Sequence, residues 1–387
     1  MQLNTFDTVS FLRDYWQQKP LLVRNPWRKW DNPLAPDELA GLACEGDVES
    51  RLITETRKTW ALEHGPLTEQ RFATLGKKPW TLLVQAVDHF VPDVAALLKP
   101  FRFIPNWRID DVMVSYAVDG GGVGPHYDQY DVFLIQGLGQ RLWQLGSACD
   151  AQTPLLPHDS LRLLRDFIPT EEWVLNPGDM LYVPPRWAHN GVAVGDDCMT
   201  YSIGFRAPSS AELVADWSDD LCAAMSDDDR YTDPLLPLQS NPGEISDAAL
   251  DRLHAMILEK MGDRDAFAEW FGSTSSTRKY QDFDYTPNTP LTVEQLREAL
   301  RQGATLYHNP ASRFSFIRRA PTSILLFVDG ASFECPNEMI TVAERLCAQS
   351  EINMDQALIA SDRAMAMLTQ LYNTGSLTFA HEDSAHS

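Results

Sequence analysis

The sequence predicts an α+β chain with an antiparallel β barrel or sandwich at its centre. Three observations lead there. Between residues 110 and 206, short runs alternate apolar and polar side chains with period two, rich in β-branched and aromatic residues and separated by Gly, Pro and Asp. After Pro208 the apolar spacing becomes helical. Beyond residue 290 a helix, two strand-like runs and two further helices follow in close succession.

The elements can be taken in order. PDELAGLA (36–43) has helical spacing, and TLLVQAVDHFVPDVAALL (81–98) predicts one or two buried helices. The period-two runs are VMVSYAV (112–118), DVFLIQ (131–136), RLWQL (141–145), DMLYVP (179–184) and MTYSIGF (199–205), each expected to be a separate strand. Ser209 and Ser246 are N-cap residues for helices over 209–225 and 246–262, the second stopped by Gly262. FAEWF (267–271) carries aromatics of exposed appearance, and the polar, Pro-containing stretch 274–290 reads as a linker. Thr292 and Gly303 bound the next helix. SRFSFIRR and SILLFVDG are strands, and helices follow near 337–348 and 353–373, a winged-helix-like order. The domains expected are 1–208, 209–285 and 286–387.

Composition narrows the function. The 387 residues carry 32 Lys and Arg against 54 Asp and Glu, a formal net charge of −22. Such a surface repels phosphate backbones and attracts basic partners, so direct nucleic-acid binding is not expected. From residue 291 onward seven Arg, no Lys and eleven acids leave a net of −4, the wrong sign for a DNA-reading winged helix. No apolar run is long enough for a membrane span. MQLNTFDTVSFLRDYW lacks a basic then apolar secretory pattern, so a cytoplasmic setting with six reduced cysteines, none in a CxxC pair, is expected.

The chemistry concentrates in GGGVGPHYDQYDVFLIQGLGQRLWQL (120–145) and NPGDMLYVPPRWAHN (176–190). His126 and Asp128 are two apart and on a strand would share a face. His189, after a strand and a Pro-Pro break, offers a third ligand. Two imidazoles and one carboxylate with open positions form the facial triad of non-haem Fe(II) oxygenases, where a bidentate co-substrate and O₂ bind together. The plainer reading is two hydrogen-bonded core histidines. Arg141, Trp143 and Leu145 share one face by parity. A guanidinium inside an apolar barrel is costly without a partner, and a dicarboxylate supplies one: Arg141 clamps its distal carboxylate while the 2-oxo acid end chelates iron. Otherwise Arg141 is a surface residue at a strand end. Thr200 and Ser202 share a face on the last strand and can add hydroxyl hydrogen bonds, or can be ordinary strand residues.

With these residues in view the chain resembles the JmjC-type ribosomal oxygenases. PHYDQYDVFLIQG, the Arg141 strand, NPGDMLYVPPRWAHN and YSIGFRAP carry the likeness, together with FLRDYWQQKPLLVRN (11–25) and NWRIDDVMVSY (106–116). The bacterial branch, which hydroxylates an arginine of large-subunit ribosomal protein uL16, is the nearer one. The resemblance implies a JmjC, cupin-like double-stranded β-helix (1–208), a helical dimerisation region giving a homodimer, and a C-terminal winged-helix-like domain. It implies Fe(II) on His126, Asp128 and His189, with 2-oxoglutarate anchored by Arg141. The reaction would couple O₂ and oxidative decarboxylation to succinate and CO₂ with hydroxylation of an arginine β-carbon. Thr200 stands where a relative has Asn, so hydrogen bonding around the co-substrate differs in detail.

A substrate guanidinium needs a carboxylate near the iron, and Asp119 and Asp131 are the candidates, against simple turn and ladder roles. Gly120–Gly122 is either a flexible lip over the peptide or a loop needing positive φ. The rival functions are another JmjC hydroxylase or demethylase, with a histidine or methyl-lysine target, and a non-oxidative metal-binding cupin. The lone histidines His64, His89, His158, His254 and His308 lack ligand spacing.

Overall fold

The computed structural model describes residues 2–56, 59–76, 78–158 and 160–379; the tail histidines His381 and His386 lie outside them. The chain divides into two compact units, 1–207 and 208–387.

The first unit contains helices α1 (Thr8–Asp14), α2 (Pro36–Leu42), α3 (Glu69–Ala73) and α4 (Pro92–Ala95). The caps are written in the chain: the Asp7 carboxylate accepts from the N–H groups of Val9 and Ser10, and Pro36 occupies the first turn of α2. Its strands are β1 (Leu21–Val23), β2 (Ser50–Thr56), β3 (Thr59–His64), β4 (Trp80–Val84), β5 (Ile109–Ala117), β6 (Asp131–Ala148), β7 (Glu171–Leu175), β8 (Met180–Val183) and β9 (Trp187–Phe205). All pair antiparallel in one sheet of order β1-β8-β6-β9-β5-β4-β2-β3, with β7 added to β6.

The long pair β6 and β9 organises this sheet. One face of it, with Phe133, Ile135, Tyr201, Ile203 and Phe205, packs against Phe11, Leu39 and Phe101 from the helical layer. The other face gathers Val132, Leu134, Trp143, Leu145, Leu175, Leu181 and Val183 into a separate cluster. Residues 132–134 and 143–145 of a single strand meet there, so β6 bends between them and the sheet closes over this second cluster. Register shifts at Gln136/Leu138 and Leu138/Gln140 mark the bend.

Two expectations fail here. DVFLIQ and RLWQL are one bent strand, not two. The first residues of 81–98 form strand β4, buried on both faces between β2 and β5, and only short turns and the four-residue α4 follow. A continuous buried run has no period to separate strand from helix, and Pro92 and Pro100 break any longer helix.

The second unit runs α5 (Ser210–Ala224), α6 (Asp247–Met261), α7 (Arg264–Ser276), α8 (Val293–Arg301), β10 (Leu306–His308), β11 (Phe314–Ala320), β12 (Ser323–Val328), β13 (Ala331–Pro336), α9 (Ile340–Ala348), β14 (Glu351–Ile352), α10 (Gln356–Ala360), α11 (Asp362–Asn373) and β15 (Leu377–Phe379). Ser209, Ser246 and Thr292 cap α5, α6 and α8 as expected. β11-β12-β13 form a meander and β14-β10-β15 a second small sheet. Leu296, Leu300, Phe314, Leu326, Val342, Leu346, Leu368 and Leu371 make the core. Helix α7 packs on β11 and β12.

The stretch 274–290 is clamped rather than free. Arg278 pairs with Asp329 at 2.7 Å, and Asp329 also accepts from Ser312, Ser376 and the Arg313 N–H. All six cysteines are free thiols. Among the described residues no helix is long and apolar enough to cross a membrane.

Candidate metal centre

The glycine-rich segment before β6 is not a regular strand. It runs beside β9 through the isolated pairs Gly122↔Val192 and His126↔His189. Gly122 has to be glycine, because a Cβ there would lie 2.4 Å from the Gly191 carbonyl oxygen. Gly120 N–H donates to Ala193 O, Ala193 N–H to Gly121 O and Gly121 N–H to Val118 O. Two of these bonds tie Gly120 and Gly121 to β9, and Gly120 has a positive φ of 73°.

Close approach delivers the ligands. The Nε2 atoms of His126 and His189 lie 3.9 and 3.6 Å from Asp128 Oδ2, and the three donor atoms fall within 4.8 Å of one another. His126 Nδ1 faces Gly124 O and His189 Nδ1 faces Trp187 O, each at 2.8 Å. Carbonyl oxygens accept only, so Nδ1 carries the proton in both rings and the Nε2 lone pairs turn toward Asp128. Burial, then the neighbouring His126, push the pKa of His189 down to about 4. It is therefore a neutral imidazole at pH 7, as a metal requires. The Arg186 N–H holds the Asp128 carbonyl at 2.6 Å.

Arg141 lies inside. It is 3% exposed, and its Nε and Nη2 atoms are buried with no hydrogen-bond partner. Arg141 pairs with Ala193 and Leu145 with His189, without a register shift between them. Arg141 and His189 therefore project from the same face, four residues or roughly 13 Å apart along the strand. Trp143 stands between, its ring 5.9 Å from that of His189 and 5.8 Å from the Arg141 guanidinium carbon. Two buried guanidinium nitrogens lacking an acceptor, on the face that carries a three-donor metal site, fit a metal plus a short acidic chelator.

Thr200 and Ser202 sit opposite Gln136 and Leu134, on the inner face. The Thr200 hydroxyl donates to Gln136 Oε1 at 3.2 Å, and the Gln136 amide donates to Leu138 O and Met199 O. Gln136, fully buried, was missed in the sequence because a glutamine in an apolar run has no distinguishing spacing.

The two candidate substrate carboxylates are elsewhere. Asp131 faces the helical layer, where it accepts from Tyr182 O–H, Gln17 Nε2 and Arg108 Nη2 at 2.6 to 2.9 Å. Asp119 is exposed and accepts from the Gly195 N–H at 2.7 Å in a turn. Burial, then the negative charges of Asp128 and Asp111, push the Tyr130 phenol up, so it stays protonated. Asp111 is 2% exposed and accepts from Gln85 Nε2 at 2.8 Å.

The JmjC domain family matches residues 96–213, and a ROXA-like winged-helix family matches 259–378. The chain is 35% identical to the ribosomal protein uL16 3-hydroxylase of Escherichia coli over 96% of its own length and 97% of that protein. The chain belongs to the JmjC ribosomal oxygenases. A probable ribosomal oxygenase of Haemophilus influenzae is 40% identical over 70% of this chain and 69% of its own. The crystal structure of E. coli YcfD superposes with a TM-score of 0.90 at 34% identity, covering 98% of this chain and all of that one. YcfD in complex with cobalt and 2-oxoglutarate gives 0.87 at 34% identity, covering 98% and 99%. The expected JmjC, cupin-like fold with a winged-helix module is thus the fold of this ribosomal oxygenase.

Proposed function

We propose that this chain is an Fe(II)- and 2-oxoglutarate-dependent oxygenase that hydroxylates the β-carbon of an arginine in ribosomal protein uL16. The observation that carries the reading is the unpartnered guanidinium of Arg141 on the same inner face as His126, Asp128 and His189. Those three residues would hold the iron, which supplies O₂ activation coupled to decarboxylation of the co-substrate. Arg141 binds the distal carboxylate, with Thr200 and Ser202 on the neighbouring strand positions. Trp143 walls the space between and excludes water.

The partners follow from charge and exposed surface. A −22 enzyme attracts free, basic uL16 and is repelled by the RNA of an assembled ribosome, which places modification before or early in assembly, in the cytoplasm. Leu250, Leu253, Ile257 and Leu258 make an exposed apolar face on α6. A face of this kind seeks a partner, and we assign it to a second copy of the chain, with residues 209–285 as the dimerisation region.

The test is mass spectrometry of uL16 incubated with the protein, iron, 2-oxoglutarate and air. One added oxygen on an arginine is the expected result. Oxygen on histidine, or loss of a methyl group from lysine, would place the chain with another JmjC activity. Absence of succinate would return it to the non-oxidative cupins.

A further inference from the structure

Trp143 carries a donor that the fold itself does not use. The residue is 5% exposed, and its indole Nε1 is buried with no hydrogen-bond partner among the described residues. A buried N–H in that condition has a desolvation cost that a phenylalanine would avoid. Trp27, Trp80 and Trp217 share the condition, but their rings lie against Phe101, Tyr116 and Phe267. The Trp143 ring instead has site residues on two sides. It is 5.9 Å from the ring of the metal ligand His189 and 5.8 Å from the guanidinium carbon of Arg141.

The ladder partner of Trp143 sets the seat of the ring. Trp143 lies opposite Gly191, and a Cβ at that glycine would stand 2.7 Å from Cη2 and Cζ3 and 3.0 Å from Cε3. The benzo edge therefore rests on the β9 backbone, and Nε1, on the opposite edge of the indole, is turned away from that strand. Arg141 Nε and Nη2 are buried and unpartnered in the same way, two residues along the same face. A carboxylate offers about four lone-pair positions on its two oxygens. A guanidinium fork fills two of them and leaves room for a further N–H. We propose that the Trp143 indole donates a hydrogen bond to the distal carboxylate of the co-substrate, the one that Arg141 clamps. Trp143 is then a residue that selects a diacid over a 2-oxo acid with an apolar end. This rests on the oxygenase reading above.

The test compares Trp143→Phe with the parent, each as the Co(II)-loaded full-length protein, with binding read from the cobalt absorption spectrum. The two ligands are 2-oxoglutarate and 2-oxopentanoate, which has the same carbon chain but ends in a methyl group. Trp143→Phe should weaken 2-oxoglutarate binding by about tenfold or more, the loss of one hydrogen bond to a charged group. Its affinity for 2-oxopentanoate should equal that of the parent. In the Zn(II)-loaded parent labelled with nitrogen-15, the indole resonance missing from Trp143→Phe should move downfield with 2-oxoglutarate and stay in place with 2-oxopentanoate. Trp143→Tyr supplies that assignment if Trp143→Phe does not fold. Equal affinity of variant and parent for 2-oxoglutarate, or an indole resonance that does not move, overturns the inference. So does an equal weakening of both ligands, which would put the loss in ring packing or at the metal-side carboxylate. Failure of the parent itself to bind 2-oxoglutarate defeats the oxygenase reading, and this inference with it.

Discussion

His126 and His189 are a ladder pair that exchange both main-chain hydrogen bonds, His126 N–H to His189 O at 3.0 Å and His189 N–H to His126 O at 2.8 Å. Their rings, 4.3 Å apart, are thus placed by backbone register, and Asp128 is tied to the same strand through Arg186. Asp128 itself contributes only its carboxylate to the site. Asp128→Ala should cut iron-dependent formation of succinate by on the order of a hundredfold or more, beyond the loss typical of a supporting residue. Metal-free stability should change by no more than about 1 kcal/mol. Succinate yield and urea unfolding check the two halves.

Arg141 gives a prediction with opposite signs in two states. Without co-substrate its buried nitrogens lack acceptors, so Arg141→Met should stabilise the free protein by about 1–3 kcal/mol. The same variant should lose about a hundredfold in 2-oxoglutarate affinity. Thermal melts with and without 2-oxoglutarate should show a higher melting temperature for the free variant and no further rise on adding the diacid.

The thiols set an alkaline limit on the second unit. Burial pushes Cys335 from 9.0 up to about 11 and Cys347 up to about 12. Below pH about 9 both folded and unfolded chains keep these protons, and their contribution is intact. Above it the unfolded chain releases protons that the folded one retains, so stability falls as pH rises toward 11–12. Urea unfolding between pH 8 and pH 11 should show a shallower fall in the Cys335→Ala, Cys347→Ala double variant. At pH 8 a thiol reagent should consume Cys222, the exposed cysteine, first.

The α6 face gives a test of assembly. Leu253 and Ile257 are 43% and 57% exposed and one helical turn apart. Leu253→Lys with Ile257→Lys should convert a dimer to a monomer in light scattering while leaving the helical circular dichroism unchanged. A parent already monomeric at micromolar concentration would contradict the assignment.

The sequence was most legible where a residue type has one chemical use. The His-x-Asp spacing and His189 pointed to a common face, and the helices capped by Ser209, Ser246 and Thr292 were bounded to within a residue or two. It was least legible where tertiary context decides. Asp131 and Asp111 are both aspartates near strand starts, and only the structure shows that one is held by Tyr182, Gln17 and Arg108 and the other is buried against Gln85. Strand β4 reads as helix because both its faces are covered. Arg278 in 274–290 reads as part of a linker until Asp329, about fifty residues on, supplies its partner.

The bend in β6 makes the site a matter of counting. Gly139 turns the chain at φ 57° with Asp197 O lying 2.7 Å from where a Cβ would be, and Arg141 follows two residues later. Side chains alternate sides with every residue, so the loss of a single amino acid at Gly137–Gly139 would point the guanidinium outward and Leu142 into its place. The composition would be almost unaltered and the strand could still pair, yet the diacid would find a methyl group where it needs a cation. Length, more than identity, is what this short corner has to preserve.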